Sequence, residues 1–229
     1  MKRRHFLELV TGFITLTGVS AYAGLDTSRS SKSETIQIGF AGVGGAGCTV
    51  LSKLNGQLSS IAQTIAINTD QISMMNINSN SKILIHGEHE GIPDVAKTLA
   101  QSHEVPIANA LSSFDLVFIL AGMGGATGTG IAPLIADISK RNGAHTVGIA
   151  ITPFEYEGAR RRTNAQTGVE TLRKKVDSFF EINNDQMLQS MSKNTTMADW
   201  HRQTEIIVLN TITSAIEALT LVNTRTALI

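Results

Sequence analysis

The sequence predicts an α/β fold: a doubly wound, mostly parallel sheet with helices on both faces. Apolar runs rich in Ile, Val and Phe alternate with longer mixed segments, as buried strands alternate with helices. Two glycine-rich stretches each directly follow an apolar run, where the ligand loops of such sheets lie. The predicted strands are residues 36–41, 61–67, 82–85, 114–121 and 146–151.

Composition limits the possible functions. The chain has 229 residues, 42% of them hydrophobic, which is enough to bury one substantial core. Lys and Arg total 19 and Asp and Glu total 19, so no net field attracts a nucleic acid, and nucleic-acid binding is not predicted. The single cysteine, Cys48, excludes an internal disulfide. We interpret it as a small packed residue, with a thiol acidified at a helix N-terminus as the alternative.

The two glycine-rich stretches are GVGGAGC at residues 42–48 and GMGGATGTG at residues 122–130. Without a Cβ atom, a glycine backbone adopts positive φ and approaches a ligand closely. Successive N–H groups and a following helix N-terminus then present partial positive charge to an anion. Two such loops in one domain predict a nucleotide held from two sides.

The first loop alone also fits a Rossmann-type NAD site. Gly42, Gly44 and Gly47 satisfy G-x-G-x-x-G, and Asp70 lies near where a ribose-binding acid is expected. The second loop is not part of that pattern, since it contains five glycines and two threonines and is expected to open a helix at Ile131. The sequence contains no G-x-x-x-x-G-K-[ST], so a P-loop is not predicted either.

The second loop, followed by IAP, resembles the signature loop of the FtsZ/tubulin superfamily, with Ala126 where the bacterial branch usually has another glycine. Further segments agree in order and spacing: GVGGAGC, AINTD at 66–70, PFEYEGARRR at 153–162 and VDSFFEINNDQML at 176–188. The resemblance covers roughly residues 36–188 and is greater to bacterial FtsZ than to tubulin. It implies a Rossmann-like domain that binds GTP or GDP, with magnesium accompanying the nucleotide, and that associates with FtsZ-like subunits in cell-division filaments.

Residue roles follow from the chemistry and from this resemblance. The first loop is expected to surround the α- and β-phosphates, with Thr49 starting the helix. The second is expected to hold the remaining phosphate oxygens, with hydroxyls from Thr127 and Thr129. The predicted nucleotide-binding residues are Gly44, Gly45, Ala46, Gly47, Cys48, Thr49, Asn68, Gly124, Gly125, Ala126, Thr127, Gly128, Thr129, Gly130, Glu157, Arg161 and Glu205. No catalytic residue and no metal ligand is assigned.

The sugar and base contacts rest more heavily on the resemblance. It makes Glu157 the acceptor of a ribose hydroxyl and Arg161 the nearby cation, a charge-assisted arrangement. Asn68 follows a strand and faces the same cleft, with a helix cap or turn as the alternative for residues 68–70. The family presents an Asn-Asp pair to guanine where this chain has Gln-Thr-Glu-Ile at 203–206, so guanine specificity is left open, with Glu205 as the candidate acceptor.

The stretch GEHEGIPDV at residues 87–95 also departs from the family, which has a small Gly- and Ala-rich loop near the terminal phosphate. Glu88 and Glu90 are expected to repel that phosphate and to disfavour GTP relative to GDP. A metal held by His86, His89, Glu88 and Glu90 is the alternative, and a solvated acidic loop is the simpler interpretation.

The sequence ends at Ile229, after an apolar helical pattern at 205–222 and a tail at 223–229, without the family's acidic hydrolysis loop. Slow or partner-dependent hydrolysis of GTP is therefore expected, and enzymatic activity is left open. A nonenzymatic structural or filament-capping subunit is the alternative, followed by a Rossmann-type NAD enzyme.

The N-terminus resembles a twin-arginine export signal. Lys2, Arg3 and Arg4 precede an uncharged stretch at 9–20 and the cleavage pattern Ala21-Tyr22-Ala23. The predicted organisation is therefore a signal or extension at 1–26, a Ser-rich linker at 27–34 and a nucleotide-binding domain at 35–204. Export or membrane association follows from this interpretation, with the cytoplasm as the alternative.

Overall fold

The computed structural model describes residues 37–58, 62–189, 196, 198–199, 202–204, 206–208, 210 and 212. The predicted export signal, the linker, Glu205 and the tail at 223–229 lie outside the described residues. Residues 37–194 form one unit, and residues 1–36 and 195–229 are grouped in another. In that second unit, the described residues Thr204, Val208 and Ile212 are helical and buried at every fourth position, the spacing of one helix face.

The sheet of the first unit has six parallel strands in the order β3-β2-β1-β4-β5-β6. The central strand β1 pairs with β2 on one side and with β4 on the other. The strands are β1 Ile38–Val43, β2 Ala62–Asn68, β3 Ser81–Leu84, β4 Leu116–Gly122, β5 His145–Thr152 and β6 Ser178–Asn183. This is the strand order of a Rossmann fold, so topology alone does not distinguish the two candidate families.

Helices cover both faces of the sheet, as predicted. They are α1 Gly44–Leu58, α2 Gln71–Met75, α3 Pro93–Gln101, α4 Glu104–Leu111, α5 Ala126–Arg141, α6 Ala159–Lys175 and α7 Asn184–Gln189, with a 3-10 turn at Glu155–Glu157. Ala41 belongs to the core formed with α3 to α6. Its neighbour Phe40 points to the opposite face, where it stacks on Phe118 with ring centroids 4.7 Å apart. None of the described helices combines the length and apolarity needed to span a bilayer.

The five predicted strands are all present, and each corresponds to one of β1 to β5. The sixth, β6, was not predicted as a strand, because the exposed Glu181 interrupts its apolar pattern. The predicted helix starts at Thr49 and Ile131 were wrong by five residues each, since α1 begins at Gly44 and α5 at Ala126. The first stretch therefore runs directly from the end of β1 into the first turn of α1, whereas the second has three loop residues, 123–125, before the first turn of α5.

Candidate functional site

The two glycine-rich stretches meet at one edge of the sheet. Because β1 and β4 are parallel neighbours, their carboxyl ends lie side by side, and α1 and α5 both begin there. A Cβ added to Gly44 would lie 3.0 Å from the nitrogen of Gly128 and 3.4 Å from Cβ of Thr127. The left-handed φ of 71° at Gly44 sets this approach. The first turns of the two helices are therefore in direct contact.

Some glycines in these stretches are required by packing. A Cβ at Gly47 would lie 2.1 Å from the carbonyl oxygen of Leu120, and one at Gly128 would lie 2.1 Å from that of Gly122. At Gly130 the corresponding distance to the carbonyl oxygen of Pro93 is 2.0 Å. In each case the obstacle is backbone, which a side-chain rotation cannot remove. These glycines hold α1 against β4 and α5 against α3.

Two other glycines face open space. A Cβ added to Gly45 or Gly125 would meet no atom within 4 Å. Gly125 is the N-cap of α5 and provides no side-chain cap, so the first N–H groups of that helix have no capping side chain. Exposed N–H groups at the start of a long helix form an anion site. The edge of the sheet therefore has a backbone-lined space suited to phosphate groups.

Threonine hydroxyls stabilise these turns from within. Thr129 is buried, and its hydroxyl accepts a hydrogen bond of 2.8 Å from the N–H of Gly124. The hydroxyl of Thr49 donates to the carbonyl oxygen of Gly45 at 2.9 Å. Thr127 lies 2.7 Å from the hydroxyl of Thr69. The hydroxyls of Thr129 and Thr49 thus form hydrogen bonds to the backbone of their own stretches, whereas their contacts to phosphate stay a prediction.

Asn68 and Asp70 differ in environment although they are two residues apart. Asn68 ends β2, is 2% exposed and accepts a hydrogen bond of 2.9 Å from the N–H of Thr69. Its Nδ2 is buried and has no partner among the described residues. Asp70 instead caps α2 by accepting from Ile72 and Ser73, and these bonds, chiefly that from the Ser73 hydroxyl, hold the pKa of Asp70 below its ordinary value. The cap interpretation therefore applies to Asp70, and a buried unpaired amide is available at Asn68.

Cys48 is fully buried beneath the first loop. Its thiol donates to the carbonyl oxygen of Gly42 at 3.3 Å. Burial raises the pKa of Cys48 to about 12. The interpretation as a packed residue is confirmed, and the acidified thiol is wrong because burial outweighs the positive helix end.

The predicted sugar-binding pair lies next to the second loop. Glu157 accepts a hydrogen bond of 2.9 Å from the N–H of Phe154 and forms an ion pair of 2.5 Å with Arg161. A Cβ on Gly124 would lie 2.9 Å from the carbonyl oxygen of Arg161, so the start of α6 packs on this loop. The carboxylate is about a quarter exposed, at 24%, which leaves part of it accessible. Its contact with a ribose stays a prediction.

The acidic loop, which we define as residues 86–92, approaches the same edge. His89 Nε2 lies 2.9 Å from the Thr69 hydroxyl, while Glu88 and Glu90 are exposed. Arg160 Nη2 donates to the carbonyl oxygens of Glu90 and Gly91, at 3.5 and 3.4 Å. Thr69 and Arg160 lie within the AINTD and PFEYEGARRR segments but were not predicted as site residues, and His89 was considered only as a metal ligand, because these contacts join segments that are distant in sequence.

The alternative metal site in this loop finds no geometric support. The ring of His86 faces that of His103, with centroids 6.3 Å apart. Within the part of the chain that the structure describes, no group of three or more His, Cys, Asp or Glu side chains is arranged to hold a metal ion. Of the predicted nucleotide-binding residues, all but Glu205 lie in the described region, in the two loops, at the end of β2 or beside α6.

Comparison with known proteins gives one consistent answer. Residues 37–192 match the model of the Tubulin/FtsZ family, GTPase domain. The chain is 37% identical over 179 residues to cell division protein FtsZ 1 of Thermococcus kodakarensis, covering 75% of this chain and 48% of that protein. The family match overturns the Rossmann-type NAD alternative.

Solved structures of FtsZ and CetZ proteins are also similar to this chain. An empty FtsZ dimer from M. jannaschii superposes with a TM-score of 0.72 at 32% identity, covering 79% of this chain and 54% of that one. CetZ from Methanosaeta thermophila has a TM-score of 0.70 at 23% identity, covering 80% and 54%, and shows the fold alone. The chain spans about half the length of these relatives. The residues matched by the family model, 37–192, include both glycine-rich stretches and the Glu157 turn. The chain belongs to the Tubulin/FtsZ family.

Proposed function

We propose that this protein binds GTP or GDP at the sheet edge where α1 and α5 begin, and that it acts as a subunit or partner of FtsZ-like filaments. The observation that carries the proposal is the contact between the two glycine turns, together with the open space that Gly45 and Gly125 face. A nucleotide has several phosphates in series, and two adjacent helix N-termini suit such a group better than one.

The described side chains support the same arrangement. The first loop would hold the α- and β-phosphates, and the turn at Gly125 and Thr127 would hold the remaining oxygens. The unpaired Nδ2 of Asn68 would donate to the ligand, which would remove the cost of its burial. The carboxylate of Glu157, already held by the N–H of Phe154, would accept from a ribose hydroxyl.

Magnesium would bind together with the nucleotide, and the residues of this site are compatible with such an ion. Mg²⁺ usually keeps several waters and is bound by substrate phosphates with one or two protein groups, so it needs no dedicated cluster of carboxylates. Asn68 Oδ1 and Thr127 Oγ1 are two neutral oxygen atoms of the site that fit this donor type. The ion would supply charge neutralisation for the phosphates.

The nucleotide content of the purified protein tests this proposal. The full chain is purified and denatured, and the released small molecules are separated by chromatography and identified by mass; GTP, GDP and NAD are titrated in parallel against the native protein. Release of GDP or GTP near one per chain, or saturable binding of either, supports the proposal. No release and no binding of any guanine nucleotide would overturn it.

A second candidate, a nonenzymatic structural or capping subunit, is favoured by the exposed Glu88 and Glu90 in the acidic loop. Their charge would weaken binding of the nucleotide with more phosphates and slow any hydrolysis. Phosphate release from GTP and sedimentation of the full chain in GTP and in GDP separate the two candidates. A GTPase subunit would release phosphate and assemble more in GTP, whereas a structural subunit would associate equally in both.

A further inference from the structure

We propose that His89 is a positioning residue for nucleotide binding: through Thr69 it orders a chain of hydrogen bonds that leaves the Thr127 hydroxyl free to donate to a phosphate. The inference rests on the proposed nucleotide site and names a residue that the resemblance does not assign. Its basis is a continuous set of contacts, from His89 Nε2 to Thr69 Oγ1 at 2.9 Å and from there to Thr127 Oγ1 at 2.7 Å.

The direction of the first bond follows from the other ring nitrogen. The N–H of Gly91 lies 3.1 Å from His89 Nδ1 and can only donate, so Nδ1 must be an unprotonated acceptor. The neutral ring then carries its proton on Nε2. Nε2 therefore donates to the hydroxyl oxygen of Thr69.

The direction of the second bond is set by the ligand. Each hydroxyl has one hydrogen to donate. A phosphate oxygen can only accept, so a phosphate at the start of α5 needs the hydrogen of Thr127. Thr127 must then accept from Thr69, which has its own hydrogen available because His89 already donates to its oxygen. With a phosphate bound, all three donors point the same way, and such chains strengthen each bond in them.

The surroundings of His89 support a positioning role. The acidic loop has left-handed backbone at Gly87, Glu90 and Gly91, with φ of 130°, 47° and 74°. For Glu90 this conformation is unfavourable, and it persists where the surrounding contacts require it. Arg160 holds the carbonyl oxygens of Glu90 and Gly91 from the other side. These contacts fix the backbone on either side of His89.

An independent observation points to a ligand at the same place. Asn68, which precedes Thr69, is 2% exposed and has a buried Nδ2 without a partner among the described residues. A buried amide N–H group without a partner is uncommon in folded proteins, and an oxygen of a bound ligand would satisfy it. The atoms that accept hydrogen bonds from Asn68 Nδ2 and from the Thr127 hydroxyl would both be oxygens of one ligand.

A double-mutant cycle tests the chain of hydrogen bonds. The dissociation constant of a fluorescent GTP analogue is measured for the full-length wild type, His89→Ala, Thr69→Val and the double variant. One neutral hydrogen bond corresponds to roughly a fivefold change in affinity, so each single variant should bind about five times more weakly. The double variant should be little weaker than either single variant, because both break the same chain.

Rescue and control variants separate positioning from general damage. His89→Gln retains an N–H donor near the Nε2 position, and Thr69→Ser retains the hydroxyl, so both should bind within about twofold of wild type. Thr171→Val, matched to Thr69→Val, removes an exposed hydroxyl that bonds within its own helix, to the carbonyl oxygen of Thr167 at 2.7 Å, and should leave binding unchanged. Thermal melting of every variant is recorded alongside. If His89→Ala does not fold, the comparison of Thr69→Val with Thr69→Ser tests the same bond.

The outcomes are distinguishable. If the wild type binds neither GTP nor GDP, the proposed function fails and this inference fails with it. If the wild type binds but His89→Ala binds equally well, or if the two single losses add in the double variant, the proposed function stands and the role of His89 is overturned.

Discussion

Two neighbouring glycines of the first loop should respond oppositely to the same substitution. A Cβ at Gly45 meets nothing within 4 Å, whereas one at Gly47 would lie 2.1 Å from the carbonyl oxygen of Leu120. Gly45→Ala should therefore fold normally and lose nucleotide affinity, because its methyl group occupies the space that a phosphate needs. Gly47→Ala should lose stability, because α1 must move away from β4.

The magnitudes follow from the geometry. Real Cβ contacts are essentially never shorter than 3.0 Å, so α1 or β4 must shift by about 0.9 Å at Gly47 to relieve the contact. Overpacking of this kind costs about 3 kcal/mol or more, which corresponds to a Tm lower by roughly 6–12 °C in a chain of this size. At Gly45 the φ lies outside the left-handed region, so alanine should raise helix stability by up to ~1 kcal/mol. The affinity of the Gly45→Ala variant for GDP should fall at least about tenfold.

The assay is a thermal melt of both variants, followed by titration of each folded protein with a fluorescent GDP analogue. The reasoning is refuted if Gly45→Ala binds as tightly as wild type, because the open space would then not be the phosphate site. It is also refuted if Gly47→Ala melts at the wild-type temperature, since the contact of α1 with β4 would then be looser than the structure indicates.

Three further predictions concern single side chains. Glu157→Gln, which keeps an oxygen for the N–H of Phe154, should weaken nucleotide binding about five- to tenfold without changing the melting temperature, and an unchanged affinity would remove the ribose assignment. Glu88→Ala combined with Glu90→Gly should raise the affinity for GTP relative to GDP about two- to fivefold at low salt and less at high salt, as measured by paired titrations. If the ratio of the two affinities does not depend on salt, the acidic loop does not act through its charge. Cys48, with its pKa raised to about 12 from an ordinary value of 9.0, should react with iodoacetamide at pH 8 about a thousandfold more slowly in the folded than in the unfolded protein. A folded thiol that labels rapidly at pH 8 would contradict this burial. Because the pKa of Cys48 is higher in the folded than in the unfolded protein, its contribution to the free energy of unfolding is complete below pH 9 and is lost as the pH rises toward 12.

Much of the fold could be predicted because its strands are buried on both faces. Residues 40–43 of β1 are almost fully buried, and a continuous apolar run is how such a strand appears in sequence. The glycine stretches could be located for the same reason, since they follow those runs directly. Strand β6 was missed because its edge position exposes Glu181, which breaks the run.

Which glycines pack against backbone and which face open space could not be predicted from the sequence. Gly45 and Gly47 occupy equivalent positions in a short glycine-rich string, and only the carbonyl oxygen of Leu120, from a strand much later in the chain, distinguishes them. The same holds for His89, which contacts Thr69 after the end of β2 and, through Thr69, Thr127 at the start of α5. Sequence patterns report local periodicity, whereas these roles depend on contacts between segments that are distant in sequence.

The close crossing of α3 and α5 at Gly130 limits how the acidic loop can move. Helix α3 begins at Pro93, directly after this loop, and its first carbonyl oxygen occupies the space where a side chain of residue 130 would be. The loop is therefore anchored by β3 before it and by α5, through α3, after it. Any adjustment to a bound phosphate is therefore confined to the few residues between these anchors, and the side chains of that short segment are expected to move more than its backbone.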